Sequence, residues 1–308
     1  MNPAWCERET RGFDIHKLMC EASQKRRGEL QELSPDIQSE EAFSLLMERV
    51  YQVTGQDFRQ YKDTTIKHRL ETRLRLTNNK TYQEYLDYLD KHREEYNYLL
   101  STLLINVTQF FRDKNDWRII REKVLPEIIA RSKERKSGTP SINIWSIACA
   151  SGEEPYSLAI ILREILGEET EKINIRIYGT DIDEASLAKA RKGVYDKSKL
   201  EGVAPELVEK YFHKNSSGKY RVNADIKDMV KFLRHSIING DNFAGFDFVI
   251  CRNLLIYFTR QLQEKVYLKL YKALRPGGLL WLGKAETPVG KAAKLFHCLY
   301  YKERVYQR

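Results

Sequence analysis

The chain has 308 residues, 42% hydrophobic and 31% charged, and its 52 Lys and Arg against 43 Asp and Glu give a net charge of +9. At about 150 residues per domain this is the length of roughly two domains, and the composition excludes a disordered chain. No run of about 18 uncharged apolar residues occurs, which excludes a helical membrane span, and Glu7, Arg8, Glu9, Arg11 and Asp14 argue against a signal peptide.

The five cysteines (Cys6, Cys20, Cys149, Cys251 and Cys298) are widely spaced and form no C-x-x-C. Neither a disulfide framework nor a metal site is expected, and a reducing cytoplasm is the expected home. The positive balance favours an acidic partner: nucleic acid, an anionic surface or an acidic protein. A mildly basic soluble enzyme carries the same charge.

Residues 1–37 are polar and poorly periodic, with a basic knot at Lys25, Arg26 and Arg27, and a poorly ordered extension is expected there. From 38 to 132 the apolar spacing is helical. One stripe runs through Phe43, Leu46, Met47, Val50 and Tyr51, and Gly55 closes that helix. Later stripes run through Ile66, Leu70, Leu74 and Leu76, then Tyr82, Tyr85, Leu86 and Leu89, then Tyr96, Leu99, Leu100, Leu103 and Leu104. A small all-α domain is expected, followed by a charged Gly/Pro linker at 133–140.

After the linker, strands and helices alternate over 141–308. Strands are expected at Ile142 to Ile147, Ile173 to Tyr178, Phe246 to Ile250 and Leu279 to Leu282, with helices at Pro155 to Leu166, Glu184 to Lys192 and Gln261 to Leu274. This is the pattern of a doubly wound, Rossmann-like α/β sheet. Between about 194 and 233 the alternation breaks around an Asn215–Gly218 turn, which reads as a small antiparallel β insertion.

The first strand runs into Ala148-Cys149-Ala150-Ser151-Gly152, where small side chains let a ligand approach the backbone, and Pro155 fits the first turn of the next helix. Glu153 and Glu154 follow at once. Two carboxylates would repel a phosphate but suit a cationic group, which points from a dinucleotide to S-adenosylmethionine; helix capping explains the pair without a ligand. Asp181, at the tip of the second strand, is placed to hold a ribose hydroxyl pair, and Asp183 reads as a helix cap. Arg252 and Asn253 follow the Phe246 strand, at the carboxyl end where ligands bind. Tyr257 reads either as a site residue or as a core aromatic. Arg112, after Phe110 and Phe111, is a candidate carboxylate fork or a solvated surface residue. The stretch from Arg59 to Arg75 holds six Lys and Arg against two acids, and Arg69 and Arg73 share one helix face that could dock an acidic partner or stay solvated.

Five segments occur in order: Asn106 to Arg112, Ala150 to Ser157, Thr180 to Asp183, Cys251 to Phe258 and Leu274 to Gly278. Together they resemble the chemoreceptor glutamate O-methyltransferases of bacterial chemotaxis, the CheR family. The resemblance runs from about Phe43 to the C-terminus. It implies a helical receptor-docking domain and an S-adenosylmethionine-dependent domain carrying a small β-subdomain. It implies cofactor contacts from Asn106, Thr108, Arg112, Glu154 (rather than Glu153), Asp181, Arg252 and Asn253. Tyr257 would lie close to the transferring methyl, and Arg69 and Arg73 fall on the family's docking surface for acidic receptor helices. Ser236-Ile237, also implied as a cofactor contact, stands where the family often has an Asn-Leu pair against the adenine and ribose, and Ile105 stands where threonine is common.

The implied reaction is methyl transfer to a receptor glutamate, an acceptor that is already ionised because its pKa is about 4.3, so no strong base is needed. Arg112 would hold the carboxylate and Tyr257 shape the methyl-transfer face. The expected partners are the cytoplasmic helices of methyl-accepting chemoreceptors, with no nucleic acid, no membrane insertion and a monomeric state. The alternative is a non-catalytic docking module that binds S-adenosylmethionine or its demethylated product. A nucleic-acid methyltransferase lacks support because no Asn/Asp-Pro-Pro-Tyr/Phe motif occurs. A nicotinamide dehydrogenase would set Glu153 and Glu154 against a pyrophosphate.

Overall fold

The computed structural model describes residues 39–104, 107–135 and 138–308, so the extension expected at 1–37 lies outside the described residues. The helical part holds α1 (Glu40–Thr54), α2 (Asp63–Leu76), α3 (Tyr82–Lys91) and α4 (Glu95–Leu103). Their ends follow local chemistry. Ser39 accepts the Ala42 N–H at the start of α1, and Gly55 ends it at φ 71°, donating to the Tyr51 carbonyl. Thr81 caps α3 by accepting the Glu84 N–H.

Next come α5 (Lys114–Ile119), a π turn (Ile120–Val124) and α6 (Leu125–Glu134). Sequence periodicity grouped this stretch with the helical domain, to residue 132. Its apolar side (Trp117, Ile120, Val124, Leu125, Ile128 and Ile129) instead packs in the core of the α/β sheet, so the helical domain ends near 104. An amphipathic stripe shows that a helix needs a partner surface, not which one.

The remaining elements are β1 (Ser141–Ile147), α7 (Glu153–Leu166), β2 (Asn174–Asp181), α8 (Glu184–Lys192), β3 (Val194–Tyr195), α9 (Pro205–Tyr211), β4 (Phe212–Lys214), β5 (Tyr220–Val222), α10 (Ala224–Asp228), β6 (Val230–Arg234), β7 (Phe246–Cys251), α11 (Arg260–Ala273), β8 (Leu274–Leu282), β9 (His297–Tyr300) and β10 (Val305–Gln307). The main sheet has the order β6-β2-β1-β7-β8-β10-β9. Its first five strands are parallel; β10 pairs antiparallel to both β8 and β9. The small sheet, β3-β5-β4, is the expected insertion. It ends earlier than expected, because Val230–Arg234 pairs with β2 as the edge strand of the main sheet.

Period-two alternation sorts the sheet into two cores. Ile142, Ile144, Phe248, Ile250, Leu279 and Trp281 face α6 and α7. Trp145, Ile147, Val249, Cys251, Leu280 and Leu282 face α11, and this second core continues into the helical domain. The seam is partly main-chain. Tyr61 and Phe258 form an antiparallel bridge, the Lys62 N–H donates to the Tyr257 carbonyl at 2.8 Å, and the Thr259 N–H donates to the Gln60 carbonyl at 3.1 Å. The Tyr61 and Phe258 rings meet edge to face at 4.8 Å, with Phe258 fully buried.

Replacing Phe258 with Ala is expected to cost about 3–5 kcal/mol, as for other buried aromatics. Denaturant unfolding checks this, and a loss under about 1 kcal/mol would show that the seam bears little of the stability.

Candidate active site

Strand order reverses between β1 and β7, and a cleft opens at their carboxyl ends, where open α/β sheets bind ligands. Its volume is about 320 Å³. Through Tyr61, Ala148, Asp181, Ile182 and Leu254 it continues into a second hollow of about 350 Å³, lined by Ser236 and Ile237. The first hollow is lined by Thr108, Arg112, Glu154, Asp181, Arg252, Asn253 and Tyr257, so residues from four separate sequence segments converge. Asn106 lies outside the described residues.

The β1 exit turns sharply, with Ala148 at φ 54°, Ala150 at φ 47° and Gly152 at φ 91°. The glycine serves packing: a Cβ on Gly152 would sit 2.8 Å from Ala190 Cβ and 2.9 Å from the Phe232 ring. Beyond it the two glutamates part. Glu154 faces the cleft and accepts the Ser146 hydroxyl at 2.8 Å. Burial raises its pKa, opposed by Arg252 and the Ser146 bond. Glu153, 0% exposed, turns away to Ser151 and to Lys199 Nζ at 3.2 Å. Asp181 accepts the Ala150 and Asp183 N–H groups at 2.8 and 2.9 Å, and burial raises its pKa as well. Asp183 caps α8 by accepting the Ala185 N–H.

Arg252 is a deeply enclosed cation, with a side chain only 2% exposed. Its guanidinium lies 2.6 Å from Asp113, 3.4 Å from Glu154 and 3.8 Å from Asp116, and stacks over Trp281 at 4.2 Å. Its Nε is buried with no hydrogen-bond partner. Arg112 donates to the Val107 carbonyl at 2.9 Å, and its own carbonyl accepts the Trp117 indole N–H. Ser236 accepts the Asn239 N–H at 3.2 Å, and Ile237 is buried.

Arg69 and Arg73 do not form a free basic face. They flank the buried stripe Ile66, Leu70 and Leu74 on the side toward α4. Arg73 makes a bidentate pair with Glu95 at 2.7 and 2.8 Å, its side chain 13% exposed, and Arg69 donates to the Thr102 carbonyl at 2.6 Å. Both guanidinium groups thus stitch α2 to α4.

Three further residues shape the cleft from outside the sequence motifs. Glu286 accepts the N–H groups of Asn253, Leu254, Leu255 and Gly283. Lys269 donates to the carbonyls of Ile237 and Ile238 at 3.2 and 2.6 Å. Lys199 donates to the Thr108 carbonyl at 2.9 Å. Nothing in the sequence signals them, because the atoms they bind are mostly main-chain.

Chemically, the cleft sets two inward carboxylates, one in the first turn of α7 and one at the end of β2, beside small-residue backbone. That donor set fits an ammonium at Glu154 and a ribose diol at Asp181. No group of metal-ligating side chains occurs among the described residues.

Fold and cleft together define an S-adenosylmethionine-dependent methyltransferase. Residues 106–305 match the CheR methyltransferase, SAM binding domain, and residues 41–104 match the CheR methyltransferase, all-alpha domain. The chain is 31% identical over 258 residues to chemotaxis protein methyltransferase 2 of Vibrio cholerae, covering 82% of this chain and 87% of that one. It is 32% identical over 252 residues to chemotaxis protein methyltransferase 2 of Pseudomonas aeruginosa, covering 80% and 86%. A chemotaxis protein methyltransferase of Listeria innocua is 31% identical over 238 residues, covering 77% and 87%. The chain therefore belongs to the CheR methyltransferase family, and S-adenosylmethionine is its cofactor.

An ammonium held at Glu154 would require the ionised carboxylate. With its pKa raised by burial, that carboxylate protonates at a higher pH than an exposed glutamate, so the affinity it would carry is lost earlier on acidification. Calorimetric titration with S-adenosylmethionine from pH 8 to 5 should show weakening toward pH 5 for the wild type and a weak, flat profile for Glu154→Gln. A flat wild-type profile contradicts this role.

Proposed function

We propose that the protein methylates glutamate side chains in the cytoplasmic helices of chemoreceptors, forming γ-methyl esters. The observation that carries this reading is the lining of the first hollow. It holds Arg112 and Tyr257 but neither His nor Lys among the described residues. A hollow with neither His nor Lys among its described lining suits an acceptor that arrives ionised, as a glutamate of pKa about 4.3 does. When bound, the cofactor supplies an electrophilic methyl on sulfonium sulfur. Transfer of that methyl to an ionised carboxylate oxygen would leave a neutral thioether, and the chain would have no proton to remove.

The residues then have separate tasks. Glu154 holds the ammonium and Asp181 the ribose. Thr108, Ser236, Ile237 and Asn253 line the remaining cofactor surface, and Asn106 joins them by family resemblance. Arg112 fixes the acceptor carboxylate, and Tyr257 closes the methyl-transfer face and excludes water from it. Arg252 acts by holding Glu154 and the Arg112 segment in place. The receptor helix approaches over α2 and the cleft mouth, where Arg69 and Arg73 order the docking surface through α4. The reaction belongs in the cytoplasm, where those receptor helices lie. A non-catalytic module is the weaker reading, because Arg112 and Tyr257 both face the cleft.

The test is methylation of receptor cytoplasmic fragments with methyl-labelled S-adenosylmethionine. Base-labile label released as methanol is expected, since esters hydrolyse and N-methyl groups do not. Arg112→Ala should lower kcat about 100-fold or more, the scale for losing one positioned donor. Base-stable label would refute ester formation, and an undiminished kcat would refute the role of Arg112.

A further inference from the structure

We infer that Glu286 is a positioning residue whose carboxylate fills the backbone anion nest after β7 and sets the turn that carries Asn253 and Tyr257. Glu286 lies in the loop after β8 and is 3% exposed. One oxygen accepts the Leu254 and Leu255 N–H groups at 2.9 and 2.7 Å, and the other accepts those of Asn253 and Gly283 at 2.9 and 2.7 Å. Consecutive N–H groups converging on one point form an anion-binding concavity. Here the anion is the protein's own. The Glu286 N–H donates to the Gly283 carbonyl, closing the loop that delivers the carboxylate.

The clamp has consequences at the cleft. Asn253 stands at φ 58°, a left-handed conformation that persists only where its surroundings impose it. The turn continues through Leu255 to Tyr257, whose N–H donates to the Leu254 carbonyl. Asn253, Leu254 and Tyr257 all line the cleft. Only a carboxylate accepts at both oxygens with no donor of its own, so the isosteric amide cannot replace it: its NH₂ would face two of the N–H groups.

The inference rests on the methyl-transfer reading of the cleft. The test compares Glu286→Gln with Asp247→Asn in kcat, KM for S-adenosylmethionine and thermal melting. Asp247 is also buried and also accepts a main-chain N–H, from Asn143 at 2.8 Å, but at the opposite end of β7. Both variants should melt lower. Only Glu286→Gln should lose kcat, by about 100-fold, the scale expected for an ångström of misplacement. Folded Glu286→Gln with wild-type kcat overturns the inference.

If Glu286→Gln does not fold, Gly283→Ala carries the test, because its Cβ would lie 2.7 Å from Glu286 Oε2 and 2.8 Å from the Asn253 nitrogen. It should show the same loss of kcat, and full activity overturns the inference. Hydrogen exchange of the wild type tests the clamp without any substitution. The amides of Asn253 to Leu255 should be protected before cofactor is added; protection that appears only with S-adenosylmethionine would make the cofactor the organiser. A wild type that methylates no receptor would fail the functional reading, while the exchange result would still judge the clamp.

Discussion

A guanidinium removed from water is costly unless opposite charges surround it. Arg252 meets that condition with carboxylates from two places, Glu154 in the first turn of α7 and Asp113 and Asp116 at the start of α5. The Trp281 ring of β8 lies against it. One buried charge thereby ties together the exit of β7, the helix after β1, the segment before the sheet and the neighbouring strand. The cleft depends on this arrangement. Without Arg252, the buried Glu154 would lose its cationic neighbour and move further toward its protonated form. The Asp113 tether of the Arg112 segment would go too.

The helical domain completes the cleft. Tyr61, Thr65, Leu103 and Leu104 form part of its wall, and the main-chain bonds at Lys62 and Thr259 run to either side of Phe258. Because Lys62 is the N-cap of α2, the helix whose surface meets the receptor in our account is bonded directly to the turn bearing Tyr257. On the other side of the same turn stands the Glu286 clamp. The turn is thus held from both layers of the protein, and holding reacting groups in place is how positioning lowers a barrier.

Much of this was legible in the sequence, and what was not shares one cause. The alternation of strands and helices, the tight turn after β1 and the acidic tip of β2 are local signals, and the structure places them at the strand-order reversal. Partner choice is not local. The helices from Lys114 to Glu134 carry a stripe that fits a helical bundle as well as a sheet, and the sheet takes them. Val230–Arg234 is short and half exposed, so it read as part of the insertion although it closes the main sheet. The spacing of Arg69 and Arg73 correctly put them on one face, but nothing in that spacing revealed Glu95 or the Thr102 carbonyl opposite. Glu286, Lys199 and Lys269 escaped because main-chain groups carry no residue identity.

The most direct test of the account is the affinity of Arg252→Met for the demethylated cofactor product, measured by calorimetry beside the wild type. Methionine keeps much of the side-chain volume against Trp281 and removes the charge. The account predicts a folded variant with a lowered melting temperature and affinity at least about tenfold weaker, since close buried charge couplings reach 1.5 kcal/mol or more. A folded variant that binds as tightly as the wild type would contradict the claim that this one buried cation organises the cleft.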